Sequence, residues 1–440
     1  MRIAMRAAVL TSAFALFAGF APVSSADRDD DRRDRHGKDA GPIQLGPRPF
    51  YLVEGMDPGP LKRRLLQCEN GPFRRTDFSI AHRGAPLQFP EHTKESYDAG
   101  ALMGAGIVEC DVTFTRDGEL VCRHAQNDLH TTTNILVTPL ASTCIKPFTP
   151  AVLDGDGKVV TPASAECRTS ELTLAEFKSL TGKMDASNPA ARTPQEFLGG
   201  TASWRTDLYT GRGTLLTFRE SIKLNQQNGV KHTPELKAGD AESINRVFGS
   251  QAQYAQKLAD EMQAAGVRSR DTWPQSFNVN DVLYWIRNTP YARQAVFLVD
   301  YDAAKNNILL FDQKGTQIVD RASQLKFFAQ LRKSGVQIIA PAMPALLAVS
   351  GDRVVPSQLA KDLKAMGFDL ITWTFERADL RQGASKAGFY YDFDPTGAAI
   401  RKDSDMYKAL DVLAREVKII GIFSDWPATV TYYANCMGLK

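Results

Sequence analysis

The chain has 440 residues, of which 43% are hydrophobic, and its formal net charge is +3 at pH 7. This is the composition of an ordinary globular protein. The sequence has no basic helix, zinc-ligand spacing or RNA-binding signature, which argues against a nucleic-acid-binding protein.

Residues 1–26 have the pattern of a cleaved secretory signal peptide. Arg2 and Arg6 precede an apolar stretch over 7–20, and the small residues 24–26 follow it. The apolar stretch is short for a membrane span, and an uncleaved anchor is the alternative interpretation. We therefore expect a secreted or periplasmic protein without stable insertion in a membrane. Residues 27–45 open with a mixed-charge run and predict a disordered leader.

Short apolar strands alternate with helical patterns along the rest of the chain. This alternation predicts an α/β fold with parallel strands, and its repetition over residues 70–437 favours a closed TIM barrel over an open sheet. Strands are predicted at 78–81, 107–114, 230–236, 295–300, 335–340, 368–375 and 419–423, and helices at 94–104, 241–265, 324–333, 357–366 and 407–416.

The segment 126–213 interrupts this alternation. It is rich in Thr, Pro, Gly and Ser and shows little periodicity. A loop of this length inside a compact domain is usually functional or separately cross-linked. We predict an inserted cap over one end of the barrel, with a disulfide between Cys144 and Cys167 as a plausible cross-link. The six cysteines allow too many pairings for the sequence to define the others.

One strand carries two carboxylates on the same face. Glu109 and Asp111 are two residues apart, and Asp117-Gly118 predicts a tight two-residue hairpin after them. In that register Asp111 lies opposite His124, so two carboxylates and an imidazole converge, which suits a hard divalent cation beside a general acid or base. The same register places Cys110 and Cys122 on opposite faces, so a disulfide between them is not expected.

The alternative for this strand is an exposed amphipathic hairpin with ordinary surface charges. Against that interpretation, Ile107, Val108, Val112 and Phe114 surround the two carboxylates. Paired like charges in a mostly apolar strand repel each other and lose solvation unless a cation or a base compensates. The pattern therefore favours a functional site.

Two further clusters stand at the ends of predicted strands, where TIM barrels place their catalytic groups. The first is His82-Arg83-Gly84. Its arginine suits bidentate phosphate binding, and its glycine suggests close approach of the backbone to a ligand. The second contains Glu235, a further hard oxygen ligand, and Lys237, a counter-charge for phosphate.

These clusters occur together in one recognisable order. The segment 80–124 reads IAHRGAPLQFPEHTKESYDAGALMGAGIVECDVTFTRDGELVCRH. It resembles the glycerophosphodiester phosphodiesterase family, whose pattern is HRG, a PENT-like turn, a Glu-x-Asp strand, a T-x-DG turn and a second histidine. Later segments that resemble the family more loosely are HTPELK, QSFNVNDVLYWI, DLITWTFE and GIFSDWP.

The resemblance implies a TIM-barrel enzyme that hydrolyses glycerophosphodiesters to an alcohol and glycerol 3-phosphate. It also implies one bound divalent cation, Ca²⁺ or Mg²⁺. The residues that match the family's site are Glu109, Asp111 and Glu235 as metal ligands, His82 and His124 as general base and acid in an unassigned order, Arg83 and Lys237 on the phosphate, and Trp373 at the glycerol end.

The chain departs from the family pattern at two positions. His92 stands where the family usually has Asn; we expect it to stabilise the turn, and the alternative is a third polar group in the site. Ala125 stands where Asp usually follows the second histidine. The change after His124, together with the long segment 126–213, bears on the identity of the substrate more than on the type of reaction.

Two alternatives use the same barrel. One is a phospholipase D-like enzyme acting on lysophospholipids or sphingolipids, which would need an apolar cap or an interfacial surface. The other is a non-catalytic protein that binds a phosphate ligand. The second is disfavoured because both histidines, all three carboxylates and both cationic residues are present.

Overall fold

The computed structural model describes residues 42–440. The predicted signal peptide and most of the predicted leader lie outside this range. Within the range, the Gln44 amide donates a hydrogen bond to the Leu102 carbonyl at 2.8 Å, and Leu45 is buried. The last residues of the range predicted as a leader therefore pack against the folded protein.

Eight parallel strands close into a barrel in chain order. The last strand pairs with the first through Ser79 and Ile422, which closes the sheet and confirms the predicted TIM barrel. The strands are β1 Thr76–Ala81, β2 Ala105–Phe114, β3 Lys231–Leu236, β4 Gln275–Ser276, β5 Val296–Asp302, β6 Ile338–Pro341, β7 Asp369–Phe375 and β8 Gly421–Ser424. Strand β4 has only two residues, which is too short to show a periodicity.

Helices follow the strands and cover the outside of the barrel. In order they are Lys94–Leu102, Phe218–Gln227, Ala241–Phe248 with Gln251–Ala264, Val279–Asn288, Arg321–Lys333, Gln358–Ala365, Met406–Asp411 and Pro427–Met437. The helix predicted over 241–265 is in fact two helices. Gly249 ends the first with a φ of 84°, and the Ser250 side chain caps the second.

Apolar side chains fill the inside of the barrel. Eight of them form one buried cluster: Ile80, Ile107, Val296, Leu298, Ile338, Ala340, Ile371 and Phe423. The barrel is therefore a packed core and not a pore. Polar side chains collect beyond this cluster, where the strands end.

The segment 126–213 has a small hydrophobic core of its own, with Leu129, Ile135, Phe177 and Phe197 among its buried residues. A disulfide joins Cys144 to Cys167, as predicted. Its regular elements are the helices Leu129–Thr132, Leu174–Ser179 and Pro194–Phe197, and two small sheets that pair Lys146–Thr149 with Ser164–Glu166 and Val152–Leu153 with Val159–Thr161.

The hairpin after β2 differs from its prediction in register. Its loop has three residues, 116–118, because the Thr115 amide bonds to the Glu119 carbonyl at 3.0 Å. Val112 therefore lies opposite Cys122, and the Arg123 amide, not His124, meets the Asp111 backbone. Thr115 also accepts a hydrogen bond from the Glu119 amide and donates one to the Asp117 carboxylate, which stabilises the longer loop.

This shift of one residue overturns the prediction about Cys110 and Cys122. A slip of one residue exchanges the faces of a strand. Both cysteines then lie on the same face, and they form a disulfide with their Cα atoms 5.4 Å apart.

The folded unit also extends beyond the range predicted for the barrel. Helices Arg48–Glu54 and Pro60–Leu66 precede it, and a disulfide joins Cys68 to Cys436. The Tyr432 hydroxyl donates a hydrogen bond to the Leu65 carbonyl at 2.7 Å. Among residues 42–440, no helix is both long and apolar enough to cross a membrane.

Candidate active site

Three carboxylates meet where β2 and β3 run side by side. Asp111 lies opposite Glu235 in the parallel register, and Glu109 is on the same face two residues earlier. One oxygen from each of the three carboxylates lies within 4.8 Å of the others, and all three side chains are buried. The structure thus brings together the three residues expected to bind a metal.

Ionisation is disfavoured at two of these carboxylates and favoured at the third, because Lys237 and His92 outweigh the effect of burial and lower the pKa of Asp111 well below its usual value. Burial and the nearby Asp111 and Glu235 raise the pKa of Glu109 well above its usual value. Burial also raises the pKa of Glu235 to about 7, although Lys237 opposes the shift. Among the described residues, no group donates a hydrogen bond to Asp111 Oδ1. A hard divalent cation fits this set of oxygen atoms.

His82 lies directly after β1, and its ring is held by hydrogen bonding. Its Nδ1 atom is 2.6 Å from Asp425 Oδ1, and its Nε2 atom is 3.8 Å from Glu109 Oε2. Burial, with the positive charge of Arg83, lowers the pKa of His82 to about 4. The ring is therefore neutral at pH 7, with its Nδ1 proton donated to Asp425 and its Nε2 lone pair free on the side of the carboxylates.

His124 lies two residues beyond the short strand Leu120–Cys122 and lines the same cavity as His82. Burial, together with Arg83 and Lys237, lowers its pKa well below the usual value. Two neutral imidazoles therefore line the cavity. His124 is one of them, although the register of the hairpin that precedes it differs from the predicted register.

Arg83 and Lys237 bring positive charge to the cavity. The Arg83 guanidinium donates to Glu91 at 2.8 Å, and its backbone amide donates to Glu109 at 3.0 Å. The Lys237 ammonium is 2.6 Å from Glu235 Oε1. Each cation thus has a carboxylate partner and still lines the cavity.

Gly84 has a different role from the one predicted. A Cβ atom at this position would lie 2.3 Å from Ser96 Oγ and 2.6 Å from the Ser96 backbone, and the φ of Gly84 is 99°. The missing side chain therefore makes room for helix Lys94–Leu102, and not for a ligand.

His92 contacts the carboxylate cluster directly. Its Nε2 atom is 2.9 Å from Asp111 Oδ2, and its Nδ1 atom is 3.0 Å from the Tyr97 hydroxyl. It is fully buried, and its φ of 56° is uncommon for a residue with a side chain. His92 thus does more than stabilise the turn, because it orients a residue expected to bind metal.

The cavity has a volume of about 670 Å³, which suits a small-molecule ligand. One wall is aromatic and consists of Phe277, Trp373, Phe389 and Tyr390. The Trp373 indole nitrogen donates to the Ala340 carbonyl at 3.0 Å, so its ring has a defined position. Other lining residues come from the segment 126–213, namely Asp128, Thr131, Thr132, Asp185, Ala186 and Ser187.

Several residues around the site had no predicted role. Gln275 donates to Glu109 Oε1 at 2.9 Å, and Arg377 donates to Asp425 Oδ2 at 2.8 Å. Three of these residues belong to segments that resemble the family, namely Glu91, Gln275 and Asp425. The resemblance could therefore have indicated that they lie near the site. Arg377 follows such a segment, and Asp185 lies where the sequence has no recognisable pattern.

Comparison with known proteins agrees with this fold. The model of the glycerophosphoryl diester phosphodiesterase family matches residues 82–429. The chain is 40% identical over 260 residues to a protein of Arthroderma benhamiae named "Extracellular protein", covering 58% of this chain and 100% of that one. It is 43% identical over 56 residues to the glycerophosphodiester phosphodiesterase of Bacillus subtilis, covering 13% of this chain and 19% of that one.

A solved structure named for a glycerophosphoryl diester phosphodiesterase of Silicibacter pomeroyi shares the fold. Its TM-score is 0.51 at 18% identity, with 84% of this chain and 96% of that one covered. The chain belongs to the glycerophosphoryl diester phosphodiesterase family. It is therefore a phosphodiesterase.

Proposed function

We propose that this protein hydrolyses glycerophosphodiesters to an alcohol and glycerol 3-phosphate, with Ca²⁺ or Mg²⁺ held by Glu109, Asp111 and Glu235. One observation carries the proposal: two of the three carboxylates, both neutral histidines, and the cationic Arg83 and Lys237 line a single cavity of ligand size, and Asp111 lies against the two carboxylates. A bound cation would offset the phosphate charge and stabilise charge that develops on the phosphate oxygens.

Side chains of the protein would bind the substrate and transfer the protons. Arg83 and Lys237 would bind the phosphate, and Trp373 would pack against the glycerol end of the substrate. One of His82 and His124 would accept the proton of the attacking water or substrate hydroxyl as its oxygen bonds to phosphorus. The other would donate a proton to the alcohol oxygen as its bond to phosphorus breaks. With the hydroxyl as nucleophile the first product would be a cyclic phosphate, which water would open in a second step to give glycerol 3-phosphate. The negative phosphate raises the pKa of a neighbouring imidazole, which favours the protonated form needed by the acid.

We also propose that the protein acts outside the cytoplasm. Its three disulfides suit an oxidising compartment. The relative from Arthroderma benhamiae bears the name "Extracellular protein". Both facts agree with the signal peptide predicted for residues 1–26.

The aromatic wall supports a second candidate function. Phe277 is 40% exposed, and its ring lies edge-on to Trp373. Such a surface can also accept an acyl chain, so a lysophospholipid is the second candidate substrate. Turnover of lysophospholipids in preference to water-soluble glycerophosphodiesters would favour this alternative.

The first experiment measures hydrolysis of glycerophosphocholine by the purified protein in EDTA and again after Ca²⁺ or Mg²⁺ is added. We expect activity only with metal, and loss of activity in His82→Ala and Glu109→Ala. His130→Gln is the control, because His130 stacks on Phe197 in the segment 126–213 and does not line the cavity. Equal activity of His82→Ala and the parent protein would contradict the proposal.

A further inference from the structure

We propose that Asp185 and Arg377 are positioning residues for His82, and that the segment 126–213 thereby takes part in catalysis. The inference rests on the proposed function, because it assigns a role in the reaction to this segment. The segment has its own hydrophobic core and yet places the carboxylate of Asp185 beside the barrel site.

A continuous series of hydrogen bonds runs from the segment to His82. Arg205 donates to Asp185 Oδ1 at 2.5 Å, and Asp185 Oδ2 accepts from Arg377 Nη2 at 2.6 Å. Arg377 Nη1 donates to Asp425 Oδ2 at 2.8 Å, and Asp425 Oδ1 is 2.6 Å from His82 Nδ1. Asp185 bonds to Arg205 through one oxygen and to Arg377 through the other. Asp425 likewise bonds to Arg377 through one oxygen and to His82 through the other. Each residue in the series therefore holds the next one in place.

Arg377 is suited to this position by its shape. Its planar guanidinium offers two terminal nitrogens at a fixed angle, and here one meets Asp425 while the other meets Asp185. Lysine has a single ammonium and cannot reproduce this fork. Arg377 also lines the cavity, but its two terminal nitrogens are directed to carboxylates on either side, one of which is the partner of His82. We therefore assign it to holding Asp425.

The position of Asp185 is itself fixed by the segment. The buried Lys183 ammonium donates to the carbonyls of Thr131, Met184 and Ala186 at 2.6–2.7 Å. These bonds fasten the turn around Asp185 to helix Leu129–Thr132. Arg205 also donates to the carbonyl of Pro86, in the loop after β1. Asp185 is thus held both from its own segment and from the barrel.

The effect on His82 follows from the orientation of Asp425. A carboxylate bonded to Nδ1–H selects one tautomer of the ring and leaves Nε2 free to react. If Arg377 or Asp185 is replaced, the bonds that hold the Asp425 carboxylate are broken or weakened, and this carboxylate is free to rotate. His82 then loses the partner that selects its tautomer. Catalysis then falls although both histidines and all three expected metal ligands are unchanged.

The test compares Asp185→Asn, Arg377→Gln and the double variant with the parent protein. Arg116→Gln is the matched control, because exposed Arg116 also joins the barrel hairpin to the segment, through Glu171 and Glu176, but lies away from the series. Two readouts are needed: kcat and KM for glycerophosphocholine with metal, and the tautomer of His82 from ¹H–¹⁵N spectra of histidine-labelled protein. The His82 signal is assigned by its loss in His82→Gln.

We expect kcat to fall by roughly tenfold or more in both single variants while KM changes little, because Asp425, the partner of His82, is no longer held in place. The His82 signal should change from the Nδ1–H form to a mixture of tautomers. The double variant should be no worse than Arg377→Gln, because both changes break the same series. Arg116→Gln should match the parent in both readouts.

An unchanged His82 signal in folded Asp185→Asn, or a loss confined to KM, would overturn the inference. If Arg377→Gln does not fold, Arg377→Lys replaces it, with the same expectation. Absence of turnover by the parent protein would instead contradict the proposed function, and the tautomer measurement would then decide the positioning role alone.

Discussion

The Nε2 atom of His92 lies 2.9 Å from Oδ2 of Asp111, in the interior of the protein. The other nitrogen of His92 is 3.0 Å from the Tyr97 hydroxyl, so the ring has partners on both sides. The contact fixes one oxygen of Asp111 and leaves Oδ1 without a protein donor among residues 42–440. The histidine therefore orients a carboxylate that we propose as a metal ligand.

This arrangement predicts the result of His92→Phe. Phenylalanine keeps a ring at this position but cannot hydrogen-bond to Asp111 or Tyr97. We expect the metal concentration for half-maximal activity to rise by roughly 10- to 100-fold, the usual effect of removing a partner of a metal ligand. The measurement is activity against metal concentration, with His130→Phe as the control. An unchanged metal requirement would contradict this role of His92.

A second prediction concerns stability without metal. Burial, Asp111 and Glu235 raise the pKa of Glu109, so the folded state holds a proton that the unfolded state releases. Glu109 therefore lowers stability increasingly as the pH rises above its unfolded pKa. In EDTA we expect Glu109→Gln to raise the thermal midpoint relative to the parent, and to do so more at pH 8 than at pH 5. The opposite trend with pH would count against the raised pKa.

A third prediction concerns proton release on metal binding. Because burial raises the pKa of Glu235 to about 7, this carboxyl is partly protonated at neutral pH and must lose its proton to bind a cation. Calorimetric titrations with Ca²⁺ or Mg²⁺ in buffers of different ionisation enthalpy should show proton release at pH 6.5. Affinity should weaken by up to about tenfold per pH unit below 7 for each carboxyl that must ionise. Binding with no proton release would contradict this protonation state.

A fourth prediction concerns the disulfide between Cys110 and Cys122. It joins β2 to the short strand that leads to His124, and it closes a loop with a sequence separation of 12. Replacing both cysteines with alanine should lower the free energy of unfolding by about 2–3 kcal/mol. Denaturant titration measures this loss. The same exchange at Cys144 and Cys167 is the comparison, and it should leave the hairpin intact.

The barrel was predictable because short apolar strands and amphipathic helices repeat with regular periodicity. The two-residue strand Gln275–Ser276 lies below the length at which periodicity can be detected. The break at Gly249 was hidden because the sequences on both sides of it favour helix.

The candidate site was predictable where its residues belong to local motifs. Glu109 and Asp111 share a face because of strand geometry alone, and the structure places them together with Glu235. The hairpin register was wrong because Asp117-Gly118 fits both a two-residue and a three-residue loop, and only contacts of Thr115 distinguish the two. No local pattern could reveal the pairing of Asp185 with Arg377, because 192 positions separate them.

The most direct test of the central claim is the identity of the product. Glycerophosphocholine is incubated with the purified protein and Ca²⁺ or Mg²⁺, and the reaction is followed by ³¹P NMR. The proposed reaction predicts that the substrate signal is replaced by that of glycerol 3-phosphate, and that neither His82→Ala nor Glu109→Ala produces this change. Formation of phosphocholine, or a persistent substrate signal with protein shown to have bound metal, would contradict it.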